Sequence, residues 1–242
     1  MQKRIIAFVA LVLLAGCDKH DPVLPGIRKP IFSSENITVE NKVIFDLPEL
    51  AFKHDNSKCP YRQDSQNVIW NGNRKIFSGF ATNNSVASTQ KPVCDGRYLY
   101  AGLTTGEVIK INQSNRQIVW IADVYSASNM TGGASIVDIV APIIPYNKAV
   151  YAGGLGDAFC KINAITGAKI WCKTISTATP FIIAGNYAFV VSTDNYLYAI
   201  GTKKGDIFWR SEIENQTAPK YKSGIITIGK QKINASDGKI IK

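Results

Sequence analysis

The residues of this chain able to do more than pack are five cysteines, two histidines and a scatter of aspartates. Cys17 stands out by its context, MQKRIIAFVALVLLAGC, in which Lys3 and Arg4 precede an apolar run from Ile5 to Leu14 and then Ala15 and Gly16. That run is shorter than the about 20 apolar residues a bilayer span needs, so residues 1–16 are expected to be a removable signal peptide. The ending L-A-G-C is a lipobox, which makes Cys17 the expected lipidation site: its thiol takes diacylglycerol and its freed amine an acyl chain such as palmitate. At ~0.8 kcal/mol per buried CH₂, several chains hold a protein to a membrane with no spanning helix. Asp18 follows, and aspartate at this place keeps lipoproteins in the inner membrane of some bacteria, so inner-membrane retention stands beside an outer-membrane destination.

The other four cysteines, Cys59, Cys94, Cys160 and Cys172, permit two bridges in an oxidising compartment. In INAITGAKIW (162–171), centring the turn on Thr166 sets Ile162 opposite Ile170 and Cys160 opposite Cys172. The two cysteines either bond across the strands or lie as two small buried thiols. Groupings that could catalyse are not found. Asp138 and Asp157 are single carboxylates without a paired spacing, His20 lies in a Pro-rich stretch and His54 in an irregular one, and no G-x-S-x-G motif occurs. GGLGD (153–157) joins strand to strand rather than strand to helix, so it reads as a tight turn and not as a phosphate loop. No catalytic, cofactor-binding or metal-binding residue is therefore expected.

The net charge of +10 is dispersed along the chain. Dispersed charge points to a solvated surface, with an acidic protein or anionic lipid as the partner classes it favours. No basic stripe with interleaved aromatics occurs, so nucleic acid is not an expected partner.

The elements that must carry these residues are strands. Residues 17–41, with three prolines in DPVLPGIRKPIF, read as a lipidated tether; ITVENKVIF (37–45) has strand character, and an irregular piece follows over 47–67. Then a pattern repeats. INQSNRQIVW (111–120), INAITGAKIW (162–171) and IGTKKGDIFW (200–209) each place an Ile nine residues before a Trp, and Tyr100, Tyr151 and Phe189 lie 20 residues before Trp120, Trp171 and Trp209. A turn glycine stands four residues before the Trp at Gly167 and Gly205, and Arg116 replaces it in the first copy. Trp70 is expected to end an earlier, degenerate unit, and QKINASDGKIIK begins another copy with Ile233, Gly238 and Lys242 at the Ile, Gly and Trp places. The Trp residues are 51 and then 38 residues apart, and the surplus falls in the stretch from Tyr125 to Pro142, whose tail IVDIVAPII is either loop or an inner strand with its lead-in. One small antiparallel sheet cannot bury both faces alone, so units of ~40–50 residues with periodic Gly and aromatic marks stack as blades. The expectation is an all-β chain with a β-propeller of four-stranded blades over residues 42–242, the Trp rings filling the gaps between neighbours.

INAITGAKIW resembles the quinoprotein-type (PQQ-type) repeat A-x-D-x-x-T-G-K-x-x-W. Together with the lipobox, LPGIRKP, LPEL and PVCDGRYLYAG, it makes the chain similar to the BamB-like family, the propeller lipoproteins of the outer-membrane β-barrel assembly machinery. The resemblance implies an eight-bladed, non-catalytic propeller without cofactor, lipid-anchored at the periplasmic face of the outer membrane. It also implies docking on the periplasmic domains of the central barrel-assembly protein, with unfolded outer-membrane proteins as further partners. Eight blades at ~40 residues each exceed this chain, so an incomplete or reduced quinoprotein-like propeller of about four to five blades is expected. A non-functional remnant of a longer gene is one reading of that shortness. Quinone (PQQ)-dependent dehydrogenases share the repeat and form the rival reading. They need a Ca²⁺ site, a catalytic aspartate and in many cases adjacent cysteines, and no two cysteines here are adjacent.

Overall fold

Alternating β-branched and aromatic residues bounded by Gly and Asn turns fold here into short antiparallel meanders. The structure, a computed structural model, describes residues 37–82, 90–125 and 136–241. Cys17, Asp18, His20, Lys242, the signal peptide and most of the tether, and the middle of the long loop lie outside the described residues.

The first sheet holds β1 (Tyr61–Gln63), β2 (Val68–Asn71) and β3 (Arg74–Ser78). Four four-stranded sheets follow, each antiparallel and in chain order. The second sheet is β4 (Val93–Asp95), β5 (Tyr98–Gly102), β6 (Glu107–Asn112) and β7 (Ile118–Asp123). The third is β8 (Ile144–Tyr146), β9 (Ala149–Gly153), β10 (Phe159–Asn163) and β11 (Lys169–Lys173). The fourth is β12 (Ile182–Ala184), β13 (Tyr187–Val191), β14 (Tyr196–Gly201) and β15 (Ile207–Glu212). The fifth is β16 (Lys220–Lys222), β17 (Ile225–Ile228), β18 (Gln231–Asn234) and β19 (Ile240–Ile241). The five sheets among the described residues agree with the blade number expected from the repeats.

Both faces of the middle sheets are covered, which explains why their second strands, YLYAG, AVYAG and YAFVV, are buried along nearly their whole length instead of alternating. One apolar cluster fills each gap. Ile69 of the first sheet meets Leu99, Ile109 and Ile111 of the second; Tyr100, Val108 and Trp120 of the second meet Val150, Cys160 and Ile162 of the third. Tyr151 and Phe159 of the third meet Ile183, Tyr198 and Ile200 of the fourth, and Phe189, Leu197 and Trp209 of the fourth meet Ile226, Ile228 and Ile233 of the fifth. Fully burying side chains of this size is worth ~1.5–3 kcal/mol each, so the gaps between sheets, more than the sheets themselves, hold the chain together.

Three details differ from the sequence reading, and the structure takes the second of the two readings of IVDIVAPII, an inner strand with its lead-in. ITVENKVIF forms no strand: Val39 makes an isolated parallel bridge to Ile207, and residues 37–41 are docked rather than free tether, with Glu40 N–H donating to Ile207 O at 2.8 Å. The 47–67 stretch contains β1. IVDIVAPII is a buried lead-in over most of its length, and the inner strand begins only at Ile144. Ile162 pairs with Lys169 rather than with Ile170, because a bulge between Lys161 and Ile162 shifts the register.

Residues 37–59 form a strap across the sheets. Lys42 N–H donates to Phe208 O and Ile44 N–H to Ser236 O, then Ser223 N–H donates to Glu49 O and Phe52 N–H to Ile183 O. Tyr221 donates its hydroxyl to Pro48 O, Phe52 packs on Tyr146 with ring centroids 4.6 Å apart, and His54 Nε2 donates to Cys94 O at 2.8 Å. The strap ends in a disulfide from Cys59 to Cys94, with Cα atoms 5.3 Å apart. Cys160 and Cys172, direct partners in the ladder between β10 and β11, are joined by the second disulfide.

Candidate functional site

The feature the fold repeats is a joint between neighbouring sheets, built three times. Trp120, Trp171 and Trp209 sit on the outermost strands β7, β11 and β15, and each reaches the next sheet. Their Nε1–H groups donate to Ala164 O, Thr202 O and Ala235 O at 3.2, 3.1 and 3.1 Å, one equivalent carbonyl in each following sheet. Tyr100, Tyr151 and Phe189, the aromatics 20 residues upstream, lie against the same rings with centroids 5.9, 6.2 and 5.8 Å apart. Burial pushes the phenols of Tyr100 and Tyr151 up to about 12. Both therefore stay neutral and serve packing rather than acid–base work at ordinary pH.

The turn glycines explain themselves at this joint. Gly167, Gly205 and Gly238 have φ of +75°, +77° and +74°, and a Cβ on each would stand 2.7, 2.8 and 2.6 Å from a ring atom of Trp120, Trp171 and Trp209. Each turn glycine thus serves the Trp of the preceding sheet. Gly224 offers a matched comparison, since its φ is +76° but nothing lies within 4 Å of an added Cβ. Gly224→Ala is expected to cost about 1 kcal/mol for the left-handed backbone alone, and Gly205→Ala about 2–3 kcal/mol because the ring overlap is added. Chemical denaturation of the two variants checks the difference, and equal losses would refute the steric account.

The first joint departs from the pattern, and the structure corrects the place given to Trp70. Trp70 lies on β2 paired with Lys75, not on the last strand; Phe77, paired with Ile69 just before the bulge, takes the register position of the repeat Trp. Trp70 instead donates Nε1–H to Asp64 at 2.8 Å and stands between the cations of Arg62 and Lys75, 5.0 and 5.8 Å from its ring. With no indole in the preceding sheet's repeat position, the second sheet has no need of a turn glycine, and Arg116 holds φ +61° there.

Lysines add a signal that spacing could have exposed, since Lys110 and Lys161 each lie ten residues before a Trp. Both donate Nζ–H to the carbonyl that also receives the indole, Ala164 O and Thr202 O. Burial holds both ammonium groups below the ordinary lysine range.

Between the joints, loops and turns form the accessible surface. Phe52, His54, Asp95, Tyr146, Lys148 and Ala164 border an open hollow of about 630 Å³ where the strap crosses the second and third sheets. Asp138 and Asp157 lie in neighbouring loops, tied by a hydrogen bond from Leu155 N–H to Asp138 O at 2.9 Å, and Ser176 donates its hydroxyl to the Asp157 carboxylate. GGLGD closes the turn between β9 and β10, strand to strand. Among the described residues no group of three His, Cys, Asp or Glu side chains is placed to hold a metal ion.

The family model described as outer membrane protein assembly factor BamB matches residues 27–211. A protein of that name from Moranella endobia (strain PCIT) is 23% identical over 148 residues, which is 58% of this chain and 38% of the relative. One from Salmonella typhimurium is 21% identical over 148 residues, again 58% of this chain and 38% of the relative. The chain thus spans about two fifths of the length of the curated relatives it matches. Among solved structures, BamB from Moraxella catarrhalis aligns over 73% of this chain and 58% of that one, with a TM-score of 0.60 and 18% identity, so the likeness is one of fold. The repeated joints give an all-β propeller of four-stranded blades, and the family match covers well over half of the sequence: the chain belongs to the family of outer membrane protein assembly factor BamB.

Proposed function

We propose that this chain is a non-catalytic scaffold that assists assembly and insertion of β-barrel proteins into the outer membrane through protein–protein contacts. Its anchor is lipid on Cys17 and its place the periplasmic face of the outer membrane. Its principal partner is the central barrel-assembly protein, contacted through that protein's periplasmic domains, and unfolded barrel proteins are further partners. The observation that carries this reading is the family match over residues 27–211. The Trp–Gly joints support it physically, because interlocked sheets hold their loops in fixed relation and so lower the entropy lost on binding.

The test is capture of the purified periplasmic region of the barrel-assembly protein, from the same bacterium, by the immobilised full chain. Saturable retention at physiological salt is the expected result. No retention by folded chain, with its melting transition intact, would overturn the partner assignment.

A further inference from the structure

The joints repeat closely enough to act as controls for one another, and one outer strand breaks their pattern. β7 and β15 each bury their Trp and the residue two places on, Ala122 and Ser211. In β11 the same two places hold Trp171, only half-buried, and Lys173, so this strand has no fully buried residue. It pairs with β10 alone. Of the three outer strands, it is also the one that carries a disulfide. Cys160 and Cys172 occupy the ladder place that Ile109 and Ile121 fill in the second sheet, and Tyr198 and Arg210 in the fourth. In all three sheets the first of the pair is 0% exposed and the second, on the outer strand, is exposed. The fold thus builds this place twice without a bridge, and adds one where the outer strand is least buried. The third sheet is covered on both faces, by the second and the fourth, so Cys172 is open to solvent at an outer rim and not on a bare face.

We propose that Cys172 is a thiol-exchange site, at which a dithiol protein of the C-x-x-C class opens a reducible staple on β11. A thiolate of the dithiol attacks Cys172 Sγ and bonds to it, the bond to Cys160 breaks, and Cys160 leaves as a thiolate and takes a proton. The second thiol of the dithiol, as thiolate, then attacks its own partner sulfur and releases Cys172, which is protonated in turn. Two electrons have passed to the chain, and the dithiol protein is oxidised to its disulfide. Attack goes to Cys172 because Cys160, 0% exposed, cannot be approached. Exposed disulfides are the labile ones. The bridge from Cys59 to Cys94 is the contrast within the same chain: Cys59 is 6% exposed, and Asn56 and His54 hold the strap to the backbone of Cys94. Opening the staple leaves β11 on its ladder alone, and with it the Trp171 that donates to Thr202 O. The redox state of one bridge therefore sets how firmly the third sheet grips the fourth. The exchange is independent of the docking partner assigned above.

The test uses the unaltered full chain and dithiothreitol at neutral pH, with freed thiols alkylated at intervals and located by peptide mass spectrometry. Before reduction, Cys59, Cys94, Cys160 and Cys172 should all resist alkylation. Cys160 and Cys172 should then become alkylated about tenfold or more faster than Cys59 and Cys94, while circular dichroism still shows a folded chain. A C-x-x-S form of thioredoxin, which cannot complete the second step, should stay joined to Cys172. Hydrogen exchange over residues 169–173 should quicken about fivefold or more on reduction, and over residues 118–123 and 207–212 about twofold or less. Free thiols at Cys160 and Cys172 before reduction, equal rates for the two bridges, opening only on unfolding, thioredoxin trapped on another cysteine or not at all, or unchanged exchange in β11 would each overturn the proposal.

Discussion

Replacing Trp209 by alanine is expected to cost about 3–5 kcal/mol of stability, the range for removing a buried Trp or Phe from a core. The indole is 3% exposed, lies beside Phe189 in the cluster that joins the fourth and fifth sheets, and donates to Ala235 O. Alanine empties the gap and takes the indole N–H from the Ala235 carbonyl. For a chain of this size the loss is on the order of a 10 °C fall in melting temperature. Trp209→Phe keeps a ring against Phe189 but removes the donor and part of the indole's volume, for an intermediate loss of about 1–3 kcal/mol. Thermal unfolding followed by circular dichroism measures both. An unchanged melting temperature for the alanine variant would mean that the sheets are not held by their joints.

The second large effect is at the end of the strap. Cys59 and Cys94 are 35 residues apart, and closing a loop of that length removes about 4 kcal/mol of chain entropy from the unfolded state. Cys160 and Cys172, 12 residues apart, close a shorter loop worth about 3 kcal/mol between strands already paired. The Cys59→Ser, Cys94→Ser variant should therefore lose more than the Cys160→Ser, Cys172→Ser variant. It should also show a local effect the other lacks, faster tryptic cleavage after the exposed Lys53 and Lys58. Hydrogen bonds between Asn56 and the backbone of Pro92 and Cys94 remain in that variant, so the strap should loosen rather than detach. Cleavage at the wild-type rate would show that the disulfide is not what keeps it down.

The three full joints were legible because one residue type in each cannot be exchanged without consequence. An indole at fixed distance from an aromatic and a glycine leaves a period in the sequence, and the structure puts those residues in contact. The opposition of Cys160 and Cys172 was legible for the same reason, since a hairpin turn fixes the register near it. The bulge after Lys161 was not, because an extra residue in a strand changes no residue type. Trp70 misled because the first sheet keeps the ladder but puts Phe77 where the period calls for Trp. The path of the strap was invisible over residues 40–52, where it is held to Ile207, Ser236 and Ile183 by backbone hydrogen bonds, for which almost any side chain would do.

The strap also dictates an order of events during synthesis. Its residues leave the ribosome early, yet their partners come from the far end of the chain, Pro48 waiting for Tyr221 across a separation of 173 residues and Ile44 for Ser236. Contacts so distant in sequence carry a large loop-closure cost and slow the final approach to the native state. The stretch from Ile44 to Glu49, made before any of the sheets, thus settles only when the fifth sheet has been translated, after the rest of the strap has found the sheets before it.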